Sequence, residues 1–201
     1  PPRPRAARHR SRRYAAIAVF YNRLNDAIAN VTAGQGPGVF SGVGFVAAGG
    51  TYRQRQNLPE LRAAGLEAEV EWPIGRTYFG ATYSYSGAKF RGGALGGLRP
   101  AQVPKHSAIA KLGWNYNAYS GASVQLRYTS GQFEDDQNSL RLKPALTIDA
   151  EGLLRVSNTI QLVARAENLF DAEVQAAISS AGIVERSGPR TLWLGVRFVI
   201  P

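Results

Sequence analysis

The chain has 201 residues, and 24 Lys and Arg against 14 Asp and Glu give a net charge of +10. It contains no cysteine, so disulfides and thiolate metal sites are excluded. Mean hydropathy is −0.21, and no window approaches the roughly 18 uncharged apolar residues of a membrane helix, which excludes a helical membrane protein but not a barrel.

Methionine is absent too, and no signal peptide is recognisable. The chain therefore reads as a fragment or a processed piece. The charge is concentrated at one end: Arg3, Arg5, Arg8, Arg10, Arg12 and Arg13 precede Tyr14, and the remainder carries only about +4. Residues 1–13 are expected to be a basic, disordered arm. Such an arm could bind phosphate, but no aromatic residues interleave with the arginines, so no nucleic-acid partner is expected.

From Tyr14 onward the chain offers eight strand candidates. The first, YAAIAVFYNRLNDAIANVT, ends at the glycine cluster of residues 34–38. The second is long and interrupted, over residues 42–72, and its lower part alternates cleanly: Leu66, Ala68, Val70 and Trp72 against Glu67, Glu69 and Glu71. WPIGR is a tight turn, with Pro73 and Gly75 in turn-compatible places.

The third strand, TYFGATYSYSGAKF, gathers Phe79, Ala81, Tyr83 and Tyr85 on one face, and a Gly/Pro-rich loop follows over residues 91–104. The fourth sets Ala108, Ala110, Leu112, Trp114 and Tyr116 opposite Lys111 and Asn115, and NAYSG turns it back. The fifth opposes Ala122, Val124, Leu126 and Tyr128 to Ser123, Gln125, Arg127 and Thr129. After the acidic loop EDDQNS, the sixth sets Leu146, Ile148 and Ala150 against Thr147, Asp149 and Glu151.

RVSNT turns the chain into the seventh strand, where Ile160, Leu162, Ala164 and Ala166 oppose Gln161, Val163, Arg165 and Glu167. The eighth puts Leu192, Leu194, Val196, Phe198 and Ile200 on one side, with Trp193 and Arg197 on the other. Read as helices, these segments scatter their charges around the apolar stripe; only LPELRAAGLEAEVEW is helix-friendly by propensity, and it too reads as strand.

A soluble β-sandwich binding module also alternates apolar and polar residues. Two features favour a membrane barrel instead. Charges recur in mid-strand on one face, and Trp72, Trp114 and Tyr116 stand just before short turns, where an aromatic girdle meets a membrane interface. Short turns at one end and long Gly-rich or acidic loops at the other fit the same picture. The expected fold is therefore all-β, an antiparallel transmembrane β-barrel. A self-contained eight-stranded barrel, with a structural or adhesive role, stays open beside it.

ENLFD (167–171), a loop ending SGPRT (187–191) and the alternating last strand resemble the C-terminal end of TonB-dependent outer-membrane receptors. FYNRLNDAI (20–28), RQNLPELRAAGLEAEVEW (55–72), ATYSYSGAKF (81–90) and RPAQVPKHSA (99–108) resemble successive barrel segments of that family, in order. The resemblance implies about eight C-terminal strands, over residues 14–201, of a 22-stranded barrel with a plugged lumen. It implies a Gram-negative outer membrane, lipid around the wall, and a nutrient cargo such as a siderophore-bound iron chelate or cobalamin. A plug domain and an energy-coupling protein are expected for a complete receptor and are not encoded in these residues.

No catalytic constellation is legible, so neither an enzymatic step nor a cofactor is expected. His9 and His106 make no triad or metal pair, and His106 reads as a solvated turn residue. Glu134, Asp135 and Asp136 read as an acidic solvated loop tip rather than a cation site. The lumen-facing set is expected to be Glu67, Glu69, Glu71, Lys111, Arg127, Asp149, Glu151, Arg165 and Arg197, with the glutamates facing the cations across the interior. Ligand contact is expected from the long loops, through Arg91, Arg99, Asp135 and Asp136.

Overall fold

The computed structural model describes residues 13–198. The arm expected over residues 1–13 lies outside them, apart from Arg13, and so does the expected outward position of Ile200. In chain order the strands are β1 (Tyr14–Gln35), β2 (Gly38–Phe40), β3 (Gly44–Val46), β4 (Thr51–Ile74), β5 (Thr77–Arg91), β6 (His106–Asn115) and β7 (Gly121–Thr129). Then come β8 (Gln132–Phe133), β9 (Arg141–Leu142), β10 (Ala145–Arg155), β11 (Ile160–Glu167), β12 (Gln175–Ile178), β13 (Val184–Arg186) and β14 (Thr191–Phe198).

Eight of them form one sheet in the order β1-β4-β5-β6-β7-β10-β11-β14, while β2–β3, β8–β9 and β12–β13 are small hairpins within the long connections. The eight strands are those expected from the alternation. Two alternatives fall here. All eight lie in a single sheet, which removes the sandwich, and β1 and β14 are its open edges, which removes a closed eight-stranded barrel.

Residues 60–72 show why the strand reading prevails over helix propensity. Their backbone lies between two antiparallel neighbours, with Leu66 opposite Val19 and Tyr85, and Glu67 opposite Ala18 and Ser84. In that register Leu66, Ala68 and Val70 lie in apolar rows, while Glu67 and Glu69 lie between an alanine and a hydroxyl residue; a helix would mix them.

The register carries one division across the whole sheet. Ile17, Leu66, Tyr85, Leu112, Val124, Leu154, Leu162 and Leu194 share the apolar face, which is open: Ile17 is 75% and Leu194 90% exposed. So large an uncovered apolar surface is unsustainable in water and fits hydrocarbon. Aromatic residues rim it at both ends. Trp72, Phe79, Trp114 and Tyr116 stand at the short-turn end, where Arg13 lies 4.7 Å over Trp72; Tyr21, Tyr83, Tyr85 and Tyr128 stand at the other. The second rim escaped the sequence reading. His106 opens β6 at the expected strand start, on this face, with Nδ1 2.8 Å from the Tyr83 hydroxyl.

The buried core sits at the long-loop end, where Val31, Leu58, Phe90 and Leu95 pack together. Val31 has the same parity along β1 as Ile17, yet it is buried and Ile17 is not. The alternation reverses at Asp26, whose φ is +53°, opposite Pro59 on β4. A single left-handed residue turns the following side chains over while cross-strand pairing continues on either side, Asn25 with Glu60 and Ala27 with Leu58.

On the other face, two glycines lie beneath aromatic rings of neighbouring strands: Gly65 under Phe20 and Gly113 under Tyr78. The rings fill space that glycine leaves and tie adjacent strands together.

Candidate functional site

The nine charged residues expected to share a face do share it. Glu67, Glu69 and Glu71 stand in one column on β4, across from Ser84, Thr82 and Gly80. Lys111 and Asp149 both oppose Gln125, Arg127 opposes Thr147, Glu151 opposes Arg165, and Arg197 opposes Gln161. On the adjacent strand Glu67 and Glu69 lie beside Ala18 and Ala16, and Glu71 beside Tyr14. The ion pairs on this face are Arg127–Asp149 at 3.6 Å and Arg165–Glu167 at 2.9 Å. Among the described residues the glutamate column has no ion pair. Acidic charge thus gathers on β4 and basic charge spreads over β7, β11 and β14.

The long connections fold over one end of the sheet and hold each other. Residues 92–105 are anchored by Leu95 in the core and by backbone bonds between Phe90 and both Leu98 (3.0 Å) and Gly97 (2.9 Å). The Asn138 carboxamide grips the Arg99 backbone from both sides, accepting from its amide and donating to its carbonyl, each at 2.9 Å. The Arg99 guanidinium donates to the Val103 carbonyl (3.1 Å) and lies 5.6 Å over Phe133. Burial lowers its pKa, and nearby Arg141 adds to the effect. Arg99 is thus a brace between two loops.

The acidic loop is no solvated tip. Asp135 is 8% exposed, and its carboxylate accepts from the Ser139 amide and hydroxyl and the Leu140 amide, at 3.1, 2.7 and 2.7 Å. Asp136 accepts from the Thr32 amide and hydroxyl. Both carboxylates are occupied in shaping the loops. Arg91 sits at the end of β5, opposite Glu60 and on the apolar side of the sheet, away from the charged face. What the loops do enclose is a groove of about 300 Å³ lined by Thr32, Arg53, Glu134, Ser179, Ser180 and Glu185. Sequence reasoning missed it, because its walls come from β1, β4 and two loops far apart in the chain.

The ENLFD stretch is a corner. Asn168 and Asp171 take φ values of +48° and +55°. The Asn168 carboxamide brackets Ala172, accepting from its amide and donating to its carbonyl at 2.9 Å each, and the Asn168 amide donates to Asp149 at 2.9 Å. Asp171 accepts from the Arg190 amide at 2.9 Å, so the start and end of the last long connection are pinned together.

One sheet with an apolar face rimmed by aromatics, a charged face behind it, tight turns at one end and folded loops at the other is the wall of a transmembrane β-barrel. Comparison with known proteins narrows this class. The chain belongs to the TonB-dependent receptor family: the profile described as "TonB dependent receptor-like, beta-barrel" matches residues 7–169.

Solved structures agree on the fold. The ferric yersiniabactin uptake receptor FyuA from Yersinia pestis is similar with a TM-score of 0.74 at 15% identity, covering 94% of this chain and 28% of that one. The siderophore receptor PiuA from Acinetobacter baumannii gives 0.71 at 14% identity, covering 92% and 26%. The copper transporter OprC gives 0.71 at 19%, covering 92% and 28%. The chain therefore spans about a quarter of the length of the receptors it resembles. No curated protein sequence matches it.

Proposed function

We propose that the chain is a stretch of the barrel wall of an outer-membrane receptor in a Gram-negative bacterium, and that the receptor imports a small nutrient such as an iron chelate or cobalamin. The charged face lines the lumen, and the apolar face meets lipid. The wall is passive: no enzymatic step takes place on it. A plug domain fills the lumen against the charged face, and an energy-coupling protein acts on the plug. The separation of charge from grease by register carries this reading, since a sheet wet on one side and dry on the other divides water from hydrocarbon. The siderophore and copper receptors of similar fold favour metal chelates as cargo.

Within this reading, ligand contact falls to the loop groove beside Thr32, Arg53 and Glu185, while Arg99, Asp135 and Asp136 hold the loops in shape. The test is uptake of labelled ferric chelates, copper and cobalamin by cells with and without the gene, under limitation for each. Loss of one class of uptake is the expected result. Unchanged uptake of all of them would remove the import role and leave the wall without a cargo.

A further inference from the structure

The apolar face ends in a row of cations. Arg23, Arg62 and Lys89 are direct cross-strand neighbours, Arg23 opposite Arg62 and Arg62 opposite Lys89. In the next row Glu60 stands between Asn25 and Arg91. All of these share the face of Ile17, Leu66 and Tyr85. Like charges directly opposed across strands destabilise a sheet unless something neutralises them. Glu60 does part of this: it pairs with Arg23 at 2.9 Å and with Arg62, and only a tenth of its side chain is exposed. One carboxylate cannot balance four cations, and the side chains of Arg23 and Arg62 remain 55% and 41% exposed.

The height of this row says what it meets. Trp72 in the lower aromatic rim and Arg62 are ten residues apart on β4. At about 3.3 Å per residue and a tilt of about 45°, that is roughly 23 Å, close to the ~25 Å apolar band of membrane barrels. The cations therefore stand at the hydrocarbon boundary on the long-loop side, one step beyond Tyr21, facing out of the barrel at headgroup depth.

We infer that Arg23, Arg62, Lys89 and Arg91 form a binding site for the phosphate of an anionic lipid headgroup, whose acyl chains lie on the apolar face below. Guanidinium groups suit the task, because their planar fork takes phosphate oxygens two at a time. Glu60 orients Arg23 and Arg62 toward one another and is the positioning residue. The inference rests on the apolar face meeting lipid and not on any particular cargo.

The test uses the intact receptor that contains this segment, reconstituted in phosphatidylcholine vesicles with increasing phosphatidylglycerol. Selectivity for the anionic lipid is read by native mass spectrometry of the lipids retained. The native protein should retain phosphatidylglycerol in preference to phosphatidylcholine, and inorganic phosphate should not compete. Arg62→Gln and Lys89→Gln should each lower the selectivity about fivefold, the equivalent of about 1 kcal/mol per basic residue at a lipid surface. Arg62→Lys, which keeps the charge and loses the fork, should fall between the native protein and Arg62→Gln, and Lys111→Gln on the charged face should leave the selectivity unchanged. Equal retention of both lipids, selectivity untouched when Arg62→Gln and Lys89→Gln are combined, or displacement by free phosphate would each overturn the site. Burial of Leu194 in lipid, measured on the same vesicles, separates failure of this site from failure of the membrane placement.

Discussion

Asp136 holds Thr32 by two hydrogen bonds, from the amide at 2.7 Å and the hydroxyl at 2.6 Å, across 104 residues of chain. The contact fastens the connection between β7 and β10 to the far end of β1, the edge strand of the sheet.

The contact sets a dependence on pH. Burial alone would raise the Asp136 carboxyl; the Thr32 hydroxyl and amide, with help from Gln137, outweigh it and hold the pKa below its ordinary 3.8. A carboxylate depressed in the folded state stabilises fully above its ordinary pKa and loses that contribution as pH falls through the folded value. The Thr32 amide proton shift should therefore stay constant down to about pH 4 and change only below it. A midpoint above pH 5 would mean that these donors do not hold the charge. Asp136→Ala should free the loop at a local cost of about 1–3 kcal/mol, seen as faster proteolysis within residues 130–144.

Facing can be tested on one strand. Leu162 lies on the apolar face and Arg165 on the charged one. Leu162→Arg should cost about 2–4 kcal/mol of folding stability in vesicles if its row meets the bilayer centre, and Arg165→Leu should cost less. Urea titration of both variants checks this, and the reverse order would exchange the two faces.

The glycine beneath Phe20 gives a packing test. A Cβ at Gly65 would fall on the Phe20 ring and on the Tyr85 carbonyl oxygen, and backbone cannot step aside; at Gly152 nothing lies within 4 Å. Gly65→Ala should lose about 1–3 kcal/mol by overpacking and Gly152→Ala almost nothing, measured in the same titration.

The Asn168 corner predicts a graded series. Asn168→Ala removes the amide and carbonyl bonds to Ala172 and leaves a left-handed φ on alanine, at a cost of about 2–4 kcal/mol in all. Asn168→Asp keeps the acceptor only and should fall between. Cleavage rates within residues 168–190 report the order.

The sheet was legible because alternation needs only side-chain type: Glu67, Glu69 and Glu71 announce their face without any knowledge of what they touch. The reversal at Asp26 was not, since one left-handed residue leaves no mark on a hydrophobic count, and the burial of Val31 and Leu58 appears only once Leu95 folds back over them. The same limit misplaced the loop charges. Asp135, Asp136 and Arg99 look available in a list of charges and are occupied in three dimensions, and Arg91 follows its strand to the apolar side of the wall. The tyrosine rim was missed because Tyr21, Tyr85 and Tyr128 form a line only when four separate registers are known.

The reversal opposite Pro59 also sets depth. Below it the β1–β4 ribbon turns its grease outward, toward hydrocarbon; above it the same ribbon turns its grease inward, under the loops. Sliding the ribbon one row along the membrane normal would sink arginines into oil or lift leucines into water. The bend works as a waterline, fixing how far the wall floats.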